Sequence, residues 1–177
     1  GVVLLTGGPG TGKTTSVRGI VALLDRMGCT MMLMAPTGRA AKRLGELCGR
    51  EAQTIHRALG TTWQDEQVVF QRSEKDPLEA EAVIVDEMSM VDLPLMSALL
   101  SALKPDCRLV MVGDPDQLPS VGPGNVFGDL IRSGRVETVA LTEIFRQAQA
   151  SAIVRAAHAV NSGQLPELKN PPDSDFF

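Results

Sequence analysis

Gly7, Gly8, Pro9, Gly10, Thr11, Gly12, Lys13 and Thr14 follow the spacing G-x-x-x-x-G-K-[ST], placed between an apolar run and a helical pattern. That spacing suits phosphate. Glycines let the backbone wrap an anion, N–H groups at a helix start supply positive potential, Lys13 reaches the outer phosphates, and the Thr14 hydroxyl reaches Mg²⁺. A Gly-rich turn without a ligand is the bland alternative, and the strand and helix on either side count against it. Ala82 to Val85 then reads as a buried strand running into Asp86 and Glu87. A strand-end Asp86 can share a metal shell with Thr14, while Glu87 beside it can polarise a water for in-line attack on a γ-phosphate. Two acids that merely favour a helix dipole are the competing explanation. A catalytic acid next to the metal acid points to hydrolysis coupled to work more than to small-molecule phosphorylation. A third segment, Gly113-Asp114-Pro115-Asp116-Gln117-Leu118-Pro119, follows another strand. Its turn would bring the Gln117 amide, at once donor and acceptor, to the same place; an exposed Gln on an Asp/Pro turn is the alternative.

These groups need a scaffold that gathers strand ends. Continuous apolar runs at Val2–Thr6, Thr30–Ala35, Ala82–Asp86, Arg108–Gly113 and Val136–Leu141 read as strands covered on both faces. Helical patterns alternate with them at Thr14–Met27, Gly38–Cys48, Leu93–Leu103, Val126–Ser133 and Ser151–Asn161, with Gly28 as a C-cap residue. The expected fold is therefore α/β, a doubly wound and mainly parallel sheet. Thr61 to Leu78, which holds Trp63, breaks the alternation and reads as a small hairpin or loop insertion. For Trp63, burial in a minor subcluster is the expectation.

At 177 residues, 44% hydrophobic and 21% charged, the chain suits one domain. The formal net charge of -4 excludes a bulk positive field, so contact with nucleic acid would have to be local. No apolar run is long enough to span a bilayer. Cys29, Cys48 and Cys107 lie apart without a CxxC pair, which fits reduced thiols in a cytoplasmic setting. A buried strand at the second residue, without Met or leader, and an end at Phe176-Phe177 resembling a strand start, suggest a piece of a longer protein. Residues 1–162 would then form the domain, and 163–177 the linker to a further one.

The set Gly7–Thr15, Ala35-Pro36-Thr37-Gly38-Arg39-Ala40-Ala41, Thr54-Ile55-His56, Asp86-Glu87-Met88-Ser89, Gly113–Pro119 and Phe145-Arg146-Gln147 resembles the first motor domain of superfamily 1 DNA helicases. Within that superfamily it is similar to the RecD-like group, the exodeoxyribonuclease V alpha subunit family. The resemblance implies a RecA-like P-loop fold, ATP and Mg²⁺ as cofactors, and ATP-driven 5′-to-3′ movement on single-stranded DNA. It also implies a cleft shared with a second motor domain of the same parent chain, with RecB/RecC-like subunits or none. The piece alone is then expected to turn over ATP weakly. Carried over by position, Gly7–Thr15 hold phosphate and Arg146 reaches the γ-phosphate, with a surface ion pair as the plainer role for that arginine. By the same resemblance Phe145 stacks on the base, and Pro36, Thr37, Gly38, Arg39, Thr54 and His56 contact DNA. From Pro36 to Arg57 five basic residues (Arg39, Lys42, Arg43, Arg50, Arg57) stand against two acids (Glu46, Glu51), a local net of +3 that supports such contacts. A solvated helix face is the alternative, as is a structural hydrogen-bonding role for His56. Two other functional classes share these features: the motor of a conjugative relaxase-type protein, and a P-loop NTPase that does not act on DNA.

Overall fold

The computed structural model describes residues 1–64, 67–144 and 151–166. Along the chain the elements are β1 (Val2–Gly7), α1 (Lys13–Arg26), β2 (Met31–Ala35), α2 (Gly38–Cys48), β3 (Ala52–Thr54) and α3 (Ile55–Ala58). A hairpin of β4 (Thr62–Gln64) and β5 (Gln67–Val69) follows, then β6 (Ala82–Val85), a 3-10 turn at Met88–Met90, α4 (Leu93–Ser101) and β7 (Arg108–Gly113). Last come α5 (Val126–Ser133), β8 (Glu137–Leu141) and α6 (Ala152–Asn161). β1, β2, β3, β6, β7 and β8 form one parallel sheet in the order β3-β2-β6-β7-β1-β8.

The apolar strands are continuous because both faces are covered, and successive residues divide between two cores. Leu5, Leu33, Ile84, Val110 and Val112 pack with Val17, Val21 and Leu24 of α1 and Leu44 of α2. Their neighbours Leu4, Met34, Val83, Val85, Leu109 and Met111 face the other way, onto Ile55 of α3, Leu95 and Leu99 of α4, and Phe127 of α5. This division follows from right-handed crossovers. The chain steps outward from β1 through β2 to β3 with α1 and α2 on one face; it then reverses direction, so α3, α4 and α5 must lie on the other.

Most predicted elements are present within a residue or two. Gly28 takes the left-handed conformation (φ 71°) just past α1, and the Gly28 and Cys29 N–H groups close the helix on the Asp25 and Leu24 carbonyls. β6 ends at Val85, so Asp86 begins the following loop instead of ending the strand. β3 and α3, of three and four residues, are additions to the sequence reading, too short to leave a periodic pattern. The insertion is a hairpin in which Thr62 pairs with Val69. Its far end returns to the main core through buried Leu78. The Trp63 side chain, Phe145, Arg146 and the stretch 167–177 lie outside the described residues.

Gly113 ends β7 with its Cα against the Phe127 ring; a Cβ there would sit 2.8 Å from a ring carbon. Phe127 is 1% exposed. Gly113→Ala is therefore expected to cost about 1–3 kcal/mol by overpacking, and Phe127→Ala about 3–5 kcal/mol by leaving a cavity. Shifts in the urea midpoint measure both; an unchanged midpoint in Phe127→Ala would contradict the packing.

Candidate nucleotide site at the strand ends

In a parallel sheet every strand delivers its carboxyl end to the same edge. Here β1, β7 and β6, adjacent in the sheet, release the Gly8–Gly12 loop, the Asp114–Gln117 loop and Asp86-Glu87. Between them lies a cavity of about 410 Å³ lined by the Gly8–Thr14 loop, Asp86, Glu87 and Gln117, with Ala40 and Arg43 of α2. Lys13 and Asp86 therefore share one open space, with no packed core between them.

The loop's shape comes from its glycines and from Thr11. Gly10 and Gly12 hold φ of 75° and 89°, which side chains resist. A Cβ on Gly7 would fall 2.5 Å from the Thr11 hydroxyl and 2.9 Å from the Leu141 carbonyl. The Thr11 hydroxyl, itself buried, donates to the Gly8 carbonyl at 2.8 Å. α1 begins at Gly12 with no side chain capping its first N–H groups, which leaves donors directed at an anion. Lys13 Nζ donates to the Gly7 carbonyl and, at 3.0 Å, to that of Gly8, so it is held within the loop's own curve. Gly7 and Thr15 are outside the cavity's lining, Thr15 being exposed on α1.

The two acids are set apart by their backbone. Glu87 is the one non-glycine residue with positive φ among the described residues (φ 56°, ψ 43°), a conformation that costs about 1–3 kcal/mol. Its N–H donates to Asp86 Oδ1 at 2.9 Å, tying the pair together. Burial pushes the Asp86 carboxyl above the ordinary aspartate value, opposed by that hydrogen bond and by the charges of Lys13 and Arg43. Glu87 is also raised, first by burial and then by the neighbouring Asp86 charge. Burial thus outweighs the two facing cations for both carboxyls, and Thr14 and Asp86 present to the cavity one hydroxyl and one carboxylate. That donor pair fits Mg²⁺, which takes one or two protein oxygens and completes its shell with water and phosphate. Among the described residues no group of three His, Cys, Asp or Glu side chains forms a closed cage instead.

These raised values have a measurable sign. The unfolded chain releases both protons at ordinary carboxylate values while the folded chain retains them to higher pH, so the native state binds more protons over that interval. Stability then declines as pH rises from the ordinary carboxylate range through the raised values. Asp86→Asn is expected to have a higher urea midpoint than the unsubstituted protein at neutral pH in metal-free buffer, the difference closing at acid pH. An equal or lower midpoint at neutral pH would contradict the burial of this charge.

Gln117 is positioned by neighbours that the sequence reading passed over. Buried Asp114 accepts the Asp116 N–H at 3.0 Å and its carbonyl accepts the Gln117 N–H at 3.3 Å, so an Asp side chain, and not Pro115 alone, closes this turn. Ser89 Oγ donates to Gln117 Oε1 at 3.4 Å, joining this loop to the one bearing Asp86 and Glu87. α6 clamps both loops. His158 Nε2 lies 3.0 Å from the Pro9 carbonyl, and Asn161 Nδ2 donates to Asp116 Oδ2 at 2.6 Å. A helix pattern can place residues 158 and 161 on one face, but the surface they meet is more than forty residues away in sequence.

The DNA candidates occupy the next two strand ends. Thr37 follows β2 and caps α2, its hydroxyl oxygen accepting the Ala40 N–H at 3.2 Å; Thr54 ends β3 and caps α3 through the Arg57 N–H at 3.1 Å. Ala35 and Thr54 are partners across the β2–β3 ladder, so the two caps stand side by side. Pro36 and Gly38 flank Thr37, Arg39 is exposed, and the exposed His56 ring lies against Phe70 with centroids 6.3 Å apart. Both threonines thus have a structural task that leaves the hydroxyl hydrogen available. With strands about 4.8 Å apart, Thr54 stands roughly 10 Å across the sheet from Asp86.

Comparison with known proteins agrees with this architecture. An AAA domain family matches residues 1–123. The ATP-dependent RecD2 DNA helicase of Deinococcus radiodurans is 42% identical over 165 residues, covering 93% of this chain and 22% of that protein. The RecBCD enzyme subunit RecD of Mycolicibacterium smegmatis is 42% identical over 154 residues, 74% of this chain and 28% of that protein. The chain thus spans about a quarter of the length of these relatives. The crystal structure of Pif1 helicase from Candida albicans superposes with a TM-score of 0.66 at 24% identity, over 97% of this chain and 45% of that one, a likeness of fold. With its glycine-rich loop, its Asp-Glu strand end and this match, the chain belongs to the AAA domain family and counts RecD proteins among its relatives.

Proposed function

We propose that this chain is the first motor domain of an ATP-dependent DNA helicase, hydrolysing ATP in the 410 Å³ cavity and moving 5′-to-3′ along single-stranded DNA. The supporting observation is the adjacency of two rows on one sheet edge. Lys13, Asp86, Glu87 and Gln117 stand at the ends of β1, β6 and β7, and Thr37 and Thr54 at those of β2 and β3. A second motor domain of the parent chain, following residues 163–177, closes the cavity and brings Arg146 into use. The relative named as a RecBCD enzyme subunit makes RecB/RecC-like partners one arrangement, and a chain that works without them is the other.

In this reading Lys13 exchanges the Gly7 and Gly8 carbonyls for outer phosphate oxygens, and the free N–H groups of the loop and α1 take the remainder. Thr14 and Asp86 would hold a divalent cation, which when bound would supply charge neutralisation at the outer phosphates. Glu87, ionised, accepts the proton of the attacking water; its raised carboxyl lies closer to neutrality and is the better base for it. Gln117, tied to Ser89 on one side and to the Asp116–Asn161 contact on the other, reports the terminal phosphate to the loops around it.

ATP turnover of the full-length parent, with and without single-stranded DNA, tests the reading. Stimulation by DNA is expected, and an unchanged rate would reject a DNA motor in favour of an NTPase with another target. Thr37→Ala is expected to weaken single-stranded DNA binding at unchanged nucleotide affinity, and to cost about 1 kcal/mol of stability by loss of the α2 cap. Thr37→Ser, which retains both roles, is the matched control.

A further inference from the structure

We propose that Arg43 of α2 is a nucleotide-site residue, its guanidinium meeting the terminal phosphate of a nucleoside triphosphate in the cavity instead of a DNA phosphate. This rests on the nucleotide reading of the cavity. Sequence alone groups Arg43 with Arg39 and Lys42 as one basic cluster. The helix separates them. At about 100° per residue, Ala41 and Leu44 turn into the core, Lys42 turns to solvent where it pairs with Glu46 at 3.9 Å, and Ala40 and Arg43 line the cavity. They are the only α2 residues that do so among the described residues. Ala40 keeps that face low, which leaves room for a phosphate beneath the arginine.

Charge and geometry support the same role. The ionisable side chains lining the cavity are Lys13, Arg43, Asp86 and Glu87. Without Arg43 a single lysine would face two carboxylates, a poor reception for a polyanion; with it the formal charges balance before any metal is counted. Arg50, just beyond α2, is occupied by Asp25, whereas Arg43 has no hydrogen bond or ion pair among the described residues. A planar guanidinium can grip two phosphate oxygens at once, which a lysine cannot. Because Gly38 and Arg43 are about 8 Å apart on one rigid helix, loss of the phosphate under Arg43 would act on the same body that carries the Thr37 turn.

The test uses the full-length parent chain, comparing Arg43→Ala, Arg43→Lys and Lys13→Ala for ATP turnover at saturating single-stranded DNA and for DNA affinity without nucleotide. Arg43 is exposed, so folding is expected to survive both substitutions, with unchanged urea midpoints. Arg43→Ala is expected to lower kcat about 10²-fold, and Arg43→Lys to recover only part of it. DNA affinity without nucleotide, and its salt dependence, should remain within about twofold because no DNA phosphate contact is lost. Unchanged kcat in Arg43→Ala, or a weaker DNA affinity with a shallower salt slope and turnover restored by more DNA, would overturn the assignment. The Lys13→Ala arm separates the two failures: if it is inactive while Arg43→Ala is normal, only the Arg43 role falls. If Lys13→Ala is fully active, the nucleotide reading itself falls.

Discussion

Glu87→Gln in the full-length protein is expected to lower ATP turnover by about 10²–10⁴-fold, the usual contribution of a positioned general base. Nucleotide affinity should change little, because the proposed phosphate-holding groups are Lys13, Thr14 and the loop amides. The substitution is close to isosteric and keeps the left-handed backbone at residue 87, so the lost rate reports proton acceptance and not a collapsed loop. A second signature comes from pH. With its carboxyl raised by burial and by Asp86, Glu87 is protonated, and useless as a base, up to a pH above the ordinary glutamate value. The acid limb of kcat/KM, which reports groups of the free enzyme, should therefore lie above that value in the unsubstituted protein and vanish from the residual activity of Glu87→Gln. Turnover within a few-fold of normal would move the base elsewhere.

Lys13→Ala is expected to reduce turnover by about 10²–10³-fold and, unlike Glu87→Gln, to weaken nucleotide binding as well. The physical difference is which state each group serves. In the proposed mechanism Lys13 faces phosphate charge present in both the bound ground state and the transition state, so its loss affects both; the proposed Glu87 proton transfer occurs only on the way to product. The same substitution removes the two hydrogen bonds that Lys13 donates to the Gly7 and Gly8 carbonyls. Those bonds stand in for phosphate oxygens, and their loss should loosen the loop without unfolding the sheet, whose cores on either face do not include Lys13. Equilibrium binding of a non-hydrolysable ATP analogue, read beside the urea midpoint, separates the outcomes. Normal binding by Lys13→Ala would contradict the cavity's role.

What could be read in advance was whatever lies close in sequence. The phosphate loop, its strand and its helix occupy the consecutive residues Val2 to Arg26, and their glycines and the Gly28 stop act over a few residues. Apolar runs and 3.6-residue patterns likewise marked β2, α2, β7 and α5 with nearly their observed limits, because burial on two faces leaves a strand no polar alternation to show. Three-residue β3 and four-residue α3 are not marked in this way because they span too few residues for either period to repeat. Periodicity gives the angle between two side chains on a helix but not what the helix faces. Arg43 could therefore be placed relative to Lys42 from sequence, yet only the packing of Ala41 and Leu44 against the sheet turned it towards the cavity and left Lys42 in solvent. The same limit applies to His158 and Asn161, whose partners Pro9 and Asp116 are distant in the chain and meet α6 only after the strands have ordered themselves. Local residue types thus determined the chemistry available to this protein. Strand order and the choice of sheet face, set by long-range burial, decided which of those groups share one cavity.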